Sequence, residues 1–301
     1  MREAILDVIS RPPSQFGVER TRWTLKMLLG QLQWLRGHTQ AGLCRLLKRI
    51  GISYKRGRHH LHSPAPDYEA KLQVVCECLR LAALNPDKHV LLFLDELSYY
   101  RQPSLSRGYA ARGHEQPLAE LSYGANKPCR VLGAVNALTG RVHYLQQGQI
   151  TVATLVRFYA ALRREYPQAE TIWIVLDNWP VHFHPDVLAA FEPQRHTWKR
   201  YNPSNWPVEP HKTAARLNLP IQLLALPTYA PWTNPLEQLW RLLKQEVLHL
   251  HRYADNLPEL KARVAACLDR FRSGSDELLR YTGRRAPTSR YWQAVTPVLN
   301  C

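Results

Sequence analysis

Three acidic residues occupy places in the sequence from which carboxylates can converge. Asp95 follows the apolar run 90–94, and Asp177 follows a second apolar run, 172–176. Glu237 lies at the start of a helical pattern. Carboxylate oxygens are the ligands that hard divalent cations such as Mg²⁺ prefer, and ligands from separate elements can share an ion. Two carboxylates at strand ends and one on a helix therefore predict a two-metal site for phosphodiester chemistry.

Each of these acids also has an ordinary structural interpretation. Asp95 can be a solvated residue after a strand, with Glu96 on the opposite face or in the turn, because successive strand residues alternate. Asp177 can close its strand with an Asx turn. Glu237 can complete a capping box in which Asn234 is the N-cap residue. The two roles of each acid are not mutually exclusive.

The charge of the chain favours a polyanionic partner. The 301 residues contain 40 Lys and Arg against 24 Asp and Glu, a net charge of +16. Residues 1–64 hold 12 basic and 3 acidic residues, and the remainder holds 28 and 21. A chain this basic is expected to meet nucleic acid or an anionic membrane surface. Because the charge is densest at the N-terminus, we expect a separate DNA-binding module there.

Other features of the sequence argue against a membrane or secreted protein. No apolar stretch approaches the length of a membrane span, and the N-terminus lacks the apolar segment of a signal peptide. The six cysteines match neither a disulfide framework nor a four-ligand zinc site. These observations lead us to expect a cytoplasmic protein.

The N-terminal segment has the order of a winged helix-turn-helix. A helix is predicted over 20–36, and Thr39 can cap a second helix that ends at Gly51. A basic, turn-like stretch follows at 54–60. The alternative is a small helical bundle with a solvated basic face. The residues expected to contact DNA are Arg45, Lys48 and Arg49 on the second helix, and Lys55, Arg56 and Arg58 in the wing.

Three segments of the chain resemble motifs of the DDE transposases of the mariner superfamily, specifically the bacterial insertion-sequence 630 family. The most specific is segment 227–240, with the pattern P-x-Y-x-P-x-x-N-P-x-E-x-x-W, which resembles the third-acid motif. Segment 177–182, D-N-x-x-x-H, resembles the second-acid motif, and Leu94-Asp95-Glu96 resembles the first. Residues 17–67 resemble the family's winged-helix segment. The resemblance covers about residues 17–255.

The resemblance implies an α/β, RNase H-like (retroviral-integrase-like) mixed-sheet catalytic domain after an α-helical winged helix-turn-helix domain. It implies that Asp95, Asp177 and Glu237 are the catalytic residues and the ligands of two Mg²⁺ ions, for which Mn²⁺ can substitute. The implied partner is double-stranded DNA, both terminal inverted repeats and target DNA, bound by a homodimer without a membrane. The implied location is the bacterial cytoplasm, in association with the nucleoid.

These inferences divide the chain into four parts. Residues 1–62 are the DNA-binding domain, and 63–85 are a linker and connecting helix. Residues 86–255 are the catalytic domain, with an insertion near 192–212, and 256–301 are a helical tail. The insertion carries Trp198, Tyr201 and Trp206 among basic residues; we expect it to contact DNA or a partner subunit, or to pack on the core.

Two departures from the family pattern accompany the resemblance. The 59 residues at 178–236 exceed the usual family spacing between the second and third acids. The family also has a further helix-turn-helix ahead of the winged helix, so we expect a truncated copy, one reading frame of a split gene, or a variant with one recognition module.

We therefore interpret the sequence as a transposase that cuts element ends and transfers their 3′-hydroxyl groups to target DNA. The alternatives are a catalytically inactive, transposase-derived repressor and an RNase H-like nuclease that cuts without joining.

Overall fold

The chain forms two units, Met1–His60 and Leu61–Cys301, in the computed structural model. The structure describes residues 1–55, 63–111, 113, 115–198 and 201–299. Each unit has an apolar core of its own.

Residues 1–55, the described part of the first unit, contain three α-helices. They are α1 (Arg2–Ser10), α2 (Leu25–Gln31) and α3 (Gln40–Arg49), with short 3₁₀ helices at Pro13–Phe16 and Gln33–Leu35. The helix predicted over 20–36 is shorter than expected because the Thr24 hydroxyl accepts from Met27 N–H, 3.3 Å away, and starts the helix there. Thr39 caps α3 as predicted, accepting from Gly42 N–H at 3.0 Å. Helix α1 was not predicted.

The predicted wing falls at the end of the described part of this unit. The described residues 1–55 form no β-strand. Arg56 and Arg58 lie outside the described residues, so the wing remains a prediction.

The second unit is built on a five-stranded mixed sheet, as predicted, with the strand order β3-β2-β1-β4-β5. The strands are β1 (His89–Tyr100), β2 (Pro128–Asn136), β3 (Val142–Gln147), β4 (Thr171–Leu176) and β5 (Ile221–Ala225). Strands β1, β2 and β3 are antiparallel neighbours, whereas β4 is parallel to both β1 and β5. The run 172–176 is apolar throughout because both faces of a parallel strand are covered.

Helices cover both faces of this sheet. They are α4 (Tyr68–Leu84), α5 (Val152–Glu165), α6 (Pro185–Leu188), α7 (Leu236–Leu243), α8 (Leu257–Asp269), α9 (Asp276–Tyr281) and α10 (Arg290–Leu299). Leu91 and Phe93 of β1 belong to one apolar cluster with α4, α7 and α8. Leu92 and Leu94 belong to a second cluster with α5 and α6. Because successive side chains of β1 point to opposite faces of the sheet, this one strand contributes to both apolar clusters.

The last helices of the chain contribute to the core of the sheet domain. Leu260 and Val264 of α8 are fully buried, as is Leu278 of α9 at 1% exposure. They share a cluster with Phe93 of β1, and α10 packs against α4. The segment predicted as a helical tail is helical and is packed into the core.

The segment 192–212 is held to the sheet domain by side chains. Gln222 of β5 accepts from Arg195 N–H at 2.7 Å and donates to the Pro193 carbonyl at 3.0 Å. The Trp206 ring packs edge-on against His184, with ring centroids 4.9 Å apart. Tyr201 is 76% exposed. These contacts favour packing as the role of Trp206, and leave Tyr201 available to a partner.

A glycine of β2 makes room for a tryptophan of α7. Gly133 lies directly opposite Asp95 in the β1–β2 ladder. A Cβ atom at Gly133 would lie 2.5 Å from Cη2 of Trp240, whose side chain is buried at 2% exposure. Because real carbon atoms do not approach so closely, Trp240 occupies this place only while residue 133 has no side chain.

We expect Gly133→Ala to destabilise the protein by about 1–3 kcal/mol, because the added methyl group overpacks the site of Trp240. Elsewhere in a strand, the same change is expected to be neutral or stabilising. Thermal or urea unfolding measures the difference.

The exposed Gly148 is the matched control, since nothing lies within 4 Å of a Cβ placed there. Equal stabilities of Gly133→Ala and Gly148→Ala would contradict the packing described above. Trp240→Phe combined with Gly133→Ala should recover part of the loss, because the smaller ring lacks Cη2.

Candidate active site

Asp95 lies within β1 and not at its end, contrary to the sequence prediction. β1 continues to Tyr100 because β2 pairs with it over that whole length, whereas β4 pairs with β1 only as far as Phe93. The Asp95 carboxyl therefore emerges just beyond the carboxyl end of β4. Ligand-binding groups in α/β sheets collect at such ends.

The Asp95 carboxyl is fixed by α7. The Trp240 indole N–H donates to Asp95 Oδ2 at 2.9 Å. Burial, together with the negative charges of Glu96, Glu237 and Asp177, raises the pKa of Asp95 to about 8. A carboxyl group with this pKa holds its proton at neutral pH unless a cation takes the proton's place.

Asn234 fixes the start of α7 against β1. Its side-chain N–H donates to the Leu94 carbonyl at 3.1 Å, and its Oδ1 accepts from Leu236 N–H at 3.1 Å. The amide is buried, at 5% exposure, so both bonds are made away from water. The first turn of α7, which carries Glu237, is thereby held beside the residue that precedes Asp95.

The capping-box interpretation of Glu237 is wrong in this structure. The Asn234 N–H donates to the Pro231 carbonyl at 3.0 Å, and α7 begins at Leu236 with Pro235 in the capping position. The short 3₁₀ helix Pro231–Thr233 produces this geometry, because it directs the Asn234 N–H back into its own turn. The Glu237 side chain is exposed on the first turn of α7.

Asp177 makes the Asx turn that was predicted as the alternative to a site role. Its Oδ1 accepts from Trp179 N–H at 2.9 Å. The next residue, Asn178, donates from its side chain to the Leu226 carbonyl at 2.9 Å, which joins the end of β4 to the end of β5. Asp177 remains exposed, and its second carboxylate oxygen is free of the turn. The turn thus orients the side chain and uses only one of its two carboxylate oxygens.

Glu96 and His182 lie on the other face of the sheet from Trp240. The 3₁₀ helix Pro180–Phe183 folds the chain back after Asp177 and brings His182 Nε2 to 3.1 Å from Glu96 Oε1. His182 is completely buried, and its Nδ1 is 2.9 Å from the Tyr159 hydroxyl. Strand alternation predicted Glu96 on the face opposite Asp95 or in the turn, but no role was predicted for Glu96 or His182. The sequence feature that pointed to His182 was the final histidine of the D-N-x-x-x-H segment.

The carboxylates converge without forming a single tight group. Among the described residues, the ligand atoms that all lie within 4.8 Å of one another belong to Glu96, Asp177 and His182. Asp95 and Glu237 lie outside this group, although the charges of Glu237 and Asp177 both act on Asp95. Asp177 therefore groups with Glu96 and His182, and its charge also acts on Asp95.

The residues predicted to contact DNA in the first unit are exposed. Arg45, Lys48 and Arg49 lie on α3, while Leu43 and Leu46 of the same helix are buried. Lys55 is also exposed. No helix in the described ranges is both long and apolar enough to cross a membrane.

Solved structures with a similar fold are complexes of the Mos1 transposase. The Mos1 paired-end complex with the left transposon end matches with a TM-score of 0.56 and 17% identity, over 99% of this chain and 74% of that one. The Mos1 mariner paired-end complex with Mn matches with a TM-score of 0.58 and 17% identity, over 99% and 77%. This likeness identifies the mixed sheet as the RNase H-like fold of that enzyme.

Sequence comparisons agree with the fold. The insertion element IS630 uncharacterized 39 kDa protein of Shigella sonnei is 22% identical over 248 residues, which are 82% of this chain. The aligned part spans 64% of that relative, slightly less than two thirds of its length. The family model described as DDE superfamily endonuclease matches residues 90–261, which include all three predicted acids. The chain belongs to the DDE superfamily of endonucleases, in the group of DDE transposases that contains the IS630 and mariner proteins.

Proposed function

We propose that this protein is a DNA transposase that cuts the ends of an insertion sequence and transfers their 3′-hydroxyl groups to target DNA. The observation that carries the proposal is the convergence of Asp95, Asp177 and Glu237 near the carboxyl end of β4, where Asp95 is half-buried and feels the charges of the other two. Burying an acid among other acids is unfavourable for folding, so such clusters are characteristic of functional sites. Membership of the DDE family supports the same activity.

The residues present fit divalent cations with oxygen ligands. Asp95, Asp177 and Glu237 offer carboxylates from a strand, a strand end and a helix, which is the donor chemistry that Mg²⁺ and Mn²⁺ prefer. The raised pKa of Asp95 results from its burial and from the negative charges of Glu96, Glu237 and Asp177, and a bound cation would offset those charges. Bound ions would activate a water or a 3′-hydroxyl and stabilise the leaving oxygen.

The protein's own residues hold these ligands in place. Trp240 orients the Asp95 carboxyl through the indole N–H, and Asn234 fixes the turn that presents Glu237. The Asx turn of Asp177 uses Oδ1 and leaves the second carboxylate oxygen outside the turn. Because these side chains are held before any ion or DNA binds, little ordering remains to be done in the reacting complex.

Double-stranded DNA is the proposed partner. The exposed Arg45, Lys48 and Arg49 of α3 would enter the major groove, and the chain's net charge of +16 favours the phosphate backbone. Cutting two element ends together calls for two protein copies, and we propose a homodimer on DNA. The repressor alternative is not favoured, because a protein that only binds DNA does not require acids from three separate elements to converge on one site.

We expect Asp95→Asn, Asp177→Asn and Glu237→Gln each to reduce Mg²⁺-dependent nicking of DNA that carries the element ends to background. DNA affinity should remain nearly unchanged, since it comes mainly from phosphate contacts. Glu277→Gln is the matched control, because Glu277 is also an exposed acid in the first turn of a helix. Wild-type nicking by any of the three variants would remove that residue from the site.

We expect Asp95→Asn to stabilise the metal-free protein at pH 8 and to have little effect near pH 4. The folded-state pKa of about 8 lies above the ordinary value. Above about pH 4 the unfolded chain therefore releases a proton that the folded chain retains, and stability falls as pH rises towards 8. Asparagine has no proton to release, so it removes this loss of stability, and its side-chain oxygen can still accept from the Trp240 indole N–H. Melting temperatures at pH 4 and pH 8 measure the change in stability, with Asp255→Asn, at an exposed site, as the control. An equal effect of Asp95→Asn at the two pH values would contradict the raised pKa.

We expect Arg45→Gln, Lys48→Gln and Arg49→Gln together to weaken binding of the full chain to duplex DNA. The slope of log K against log salt should fall by about 1 for each phosphate that the variant no longer neutralises. Any of these residues that contacts a base should change the preference between sequences instead. Lys261→Gln, an exposed lysine on α8, is the control. An unchanged salt slope and sequence preference in the triple variant would place the DNA-binding surface elsewhere.

A further inference from the structure

We propose that Glu96, Asp177 and His182 form a binding site for a transition-metal dication of the Zn²⁺ and Co²⁺ type. Their ligand atoms all lie within 4.8 Å of one another. The site is on the α5 face of the sheet, whereas Asp95 and Trp240 are on the α7 face. Asp177 alone is shared with the acids proposed to hold Mg²⁺, so this is a second site and not part of the first.

Two buried atoms of this group lack hydrogen-bond partners. Glu96 Oε1 and His182 Nε2 make no hydrogen bond with any described residue. They are 3.1 Å apart, so their contact is close but not aligned as a hydrogen bond. Buried polar atoms are nearly always paired, and each exception calls for an explanation such as a missing ion. An ion coordinated by both atoms supplies one.

The separation of these atoms fits ligands of a common ion. With metal–nitrogen and metal–oxygen bonds of about 2.0–2.1 Å, two ligands of a tetrahedral ion lie about 3.3 Å apart. Glu96 Oε1 and His182 Nε2, at 3.1 Å, are already close to that separation. Asp177 is exposed, and one of its oxygens is free of the Asx turn, so its side chain can complete the site.

The imidazole is oriented by a second buried residue. Tyr159 is fully buried, and its hydroxyl lies 2.9 Å from His182 Nδ1. Histidine ligands of metals typically donate the other ring N–H to an oxygen, which fixes the ring and the tautomer. With Nδ1–H donating to Tyr159, the Nε2 lone pair is directed towards Glu96.

The donor set selects the class of metal. Mg²⁺ is bound by oxygen ligands and water, whereas an imidazole with two carboxylates suits zinc and its neighbours in the first transition series. Because Asp177 is shared, a Zn²⁺ ion at this site removes a ligand from the proposed Mg²⁺ set. Zn²⁺ is therefore expected to inhibit Mg²⁺-dependent nicking, a consequence that rests on the proposed function.

Titration of the metal-free full chain with Co²⁺, followed by visible absorption, tests the site, since the ligand-field bands report the coordination of the ion. We expect the wild-type protein to develop these bands and Zn²⁺ to remove them. His182→Gln and Glu96→Gln should each weaken binding about tenfold or more. Isothermal titration with Zn²⁺ gives the same comparison without a chromophore.

Two histidine variants serve as matched controls. His143 bonds Tyr166 at 2.8 Å much as His182 bonds Tyr159, but it belongs to no group of ligand atoms in the described part of the chain. His211 is exposed beside Asp186. His143→Gln and His211→Gln should leave the Co²⁺ bands of the site unchanged. Loss of the bands in either control, at wild-type stability, would contradict the assignment.

Melting temperatures establish that each variant is folded. If His182→Gln does not fold, Glu96→Gln decides the question, because the Glu96 side chain is 16% exposed and tolerates an isosteric change better. Wild-type Co²⁺ bands and affinity in the folded Glu96→Gln protein would overturn the site. The spectra report metal binding without catalysis, so the test of the site does not depend on nicking activity. If Zn²⁺ binds but nicking continues, the competition for Asp177 is overturned while the site remains.

Discussion

The contact between the Trp240 indole and the Asp95 carboxyl, made across the bare backbone of Gly133, is the interaction on which the site depends. Gly133 is paired with Asp95 in the ladder, so the indole takes the space that a side chain would fill. That contact sets the height of α7 above β1, and the two bonds of Asn234 set its start. Glu237 is presented by a helix whose position is thus determined by buried groups and not by its own carboxylate.

The unequal pairing of β1 creates the opening in which the acids meet. β4 accompanies β1 only as far as Phe93, so the backbone beyond that point has a neighbour on one side only. Asp95 and Glu96 follow after Leu94 and point to opposite faces, because strand side chains alternate. Asp177, directly after the shorter strand, is exposed; it groups with Glu96 and His182, and its charge acts on Asp95. The end of β4 therefore lies close to acids on both faces of β1.

Much of this arrangement could be predicted from local patterns. The apolar runs 90–94 and 172–176 predicted two strands, and the segment 227–240 predicted where α7 begins. The capping box failed because the 3₁₀ turn before Asn234, a tertiary feature, uses the N–H that the box requires. The pairing of Glu96 with His182 joins residues far apart in sequence, and periodicity carries no information about such contacts. The extension of β1 beyond Asp95 likewise depends on β2, which no local pattern of β1 reveals.

The helices that close the chain have a genetic consequence. Leu260, Val264 and Leu278 complete the apolar cluster that also contains Phe93, two residues before Asp95. A nonsense mutation shortly after the codon for Glu237 leaves every acid encoded but exposes the core that supports them. The sheet domain of its product is expected to be unstable, whereas the first unit keeps an apolar core of its own. A stop codon between residues 238 and 259 is therefore expected to abolish the function of the sheet domain as completely as the loss of one of the acids.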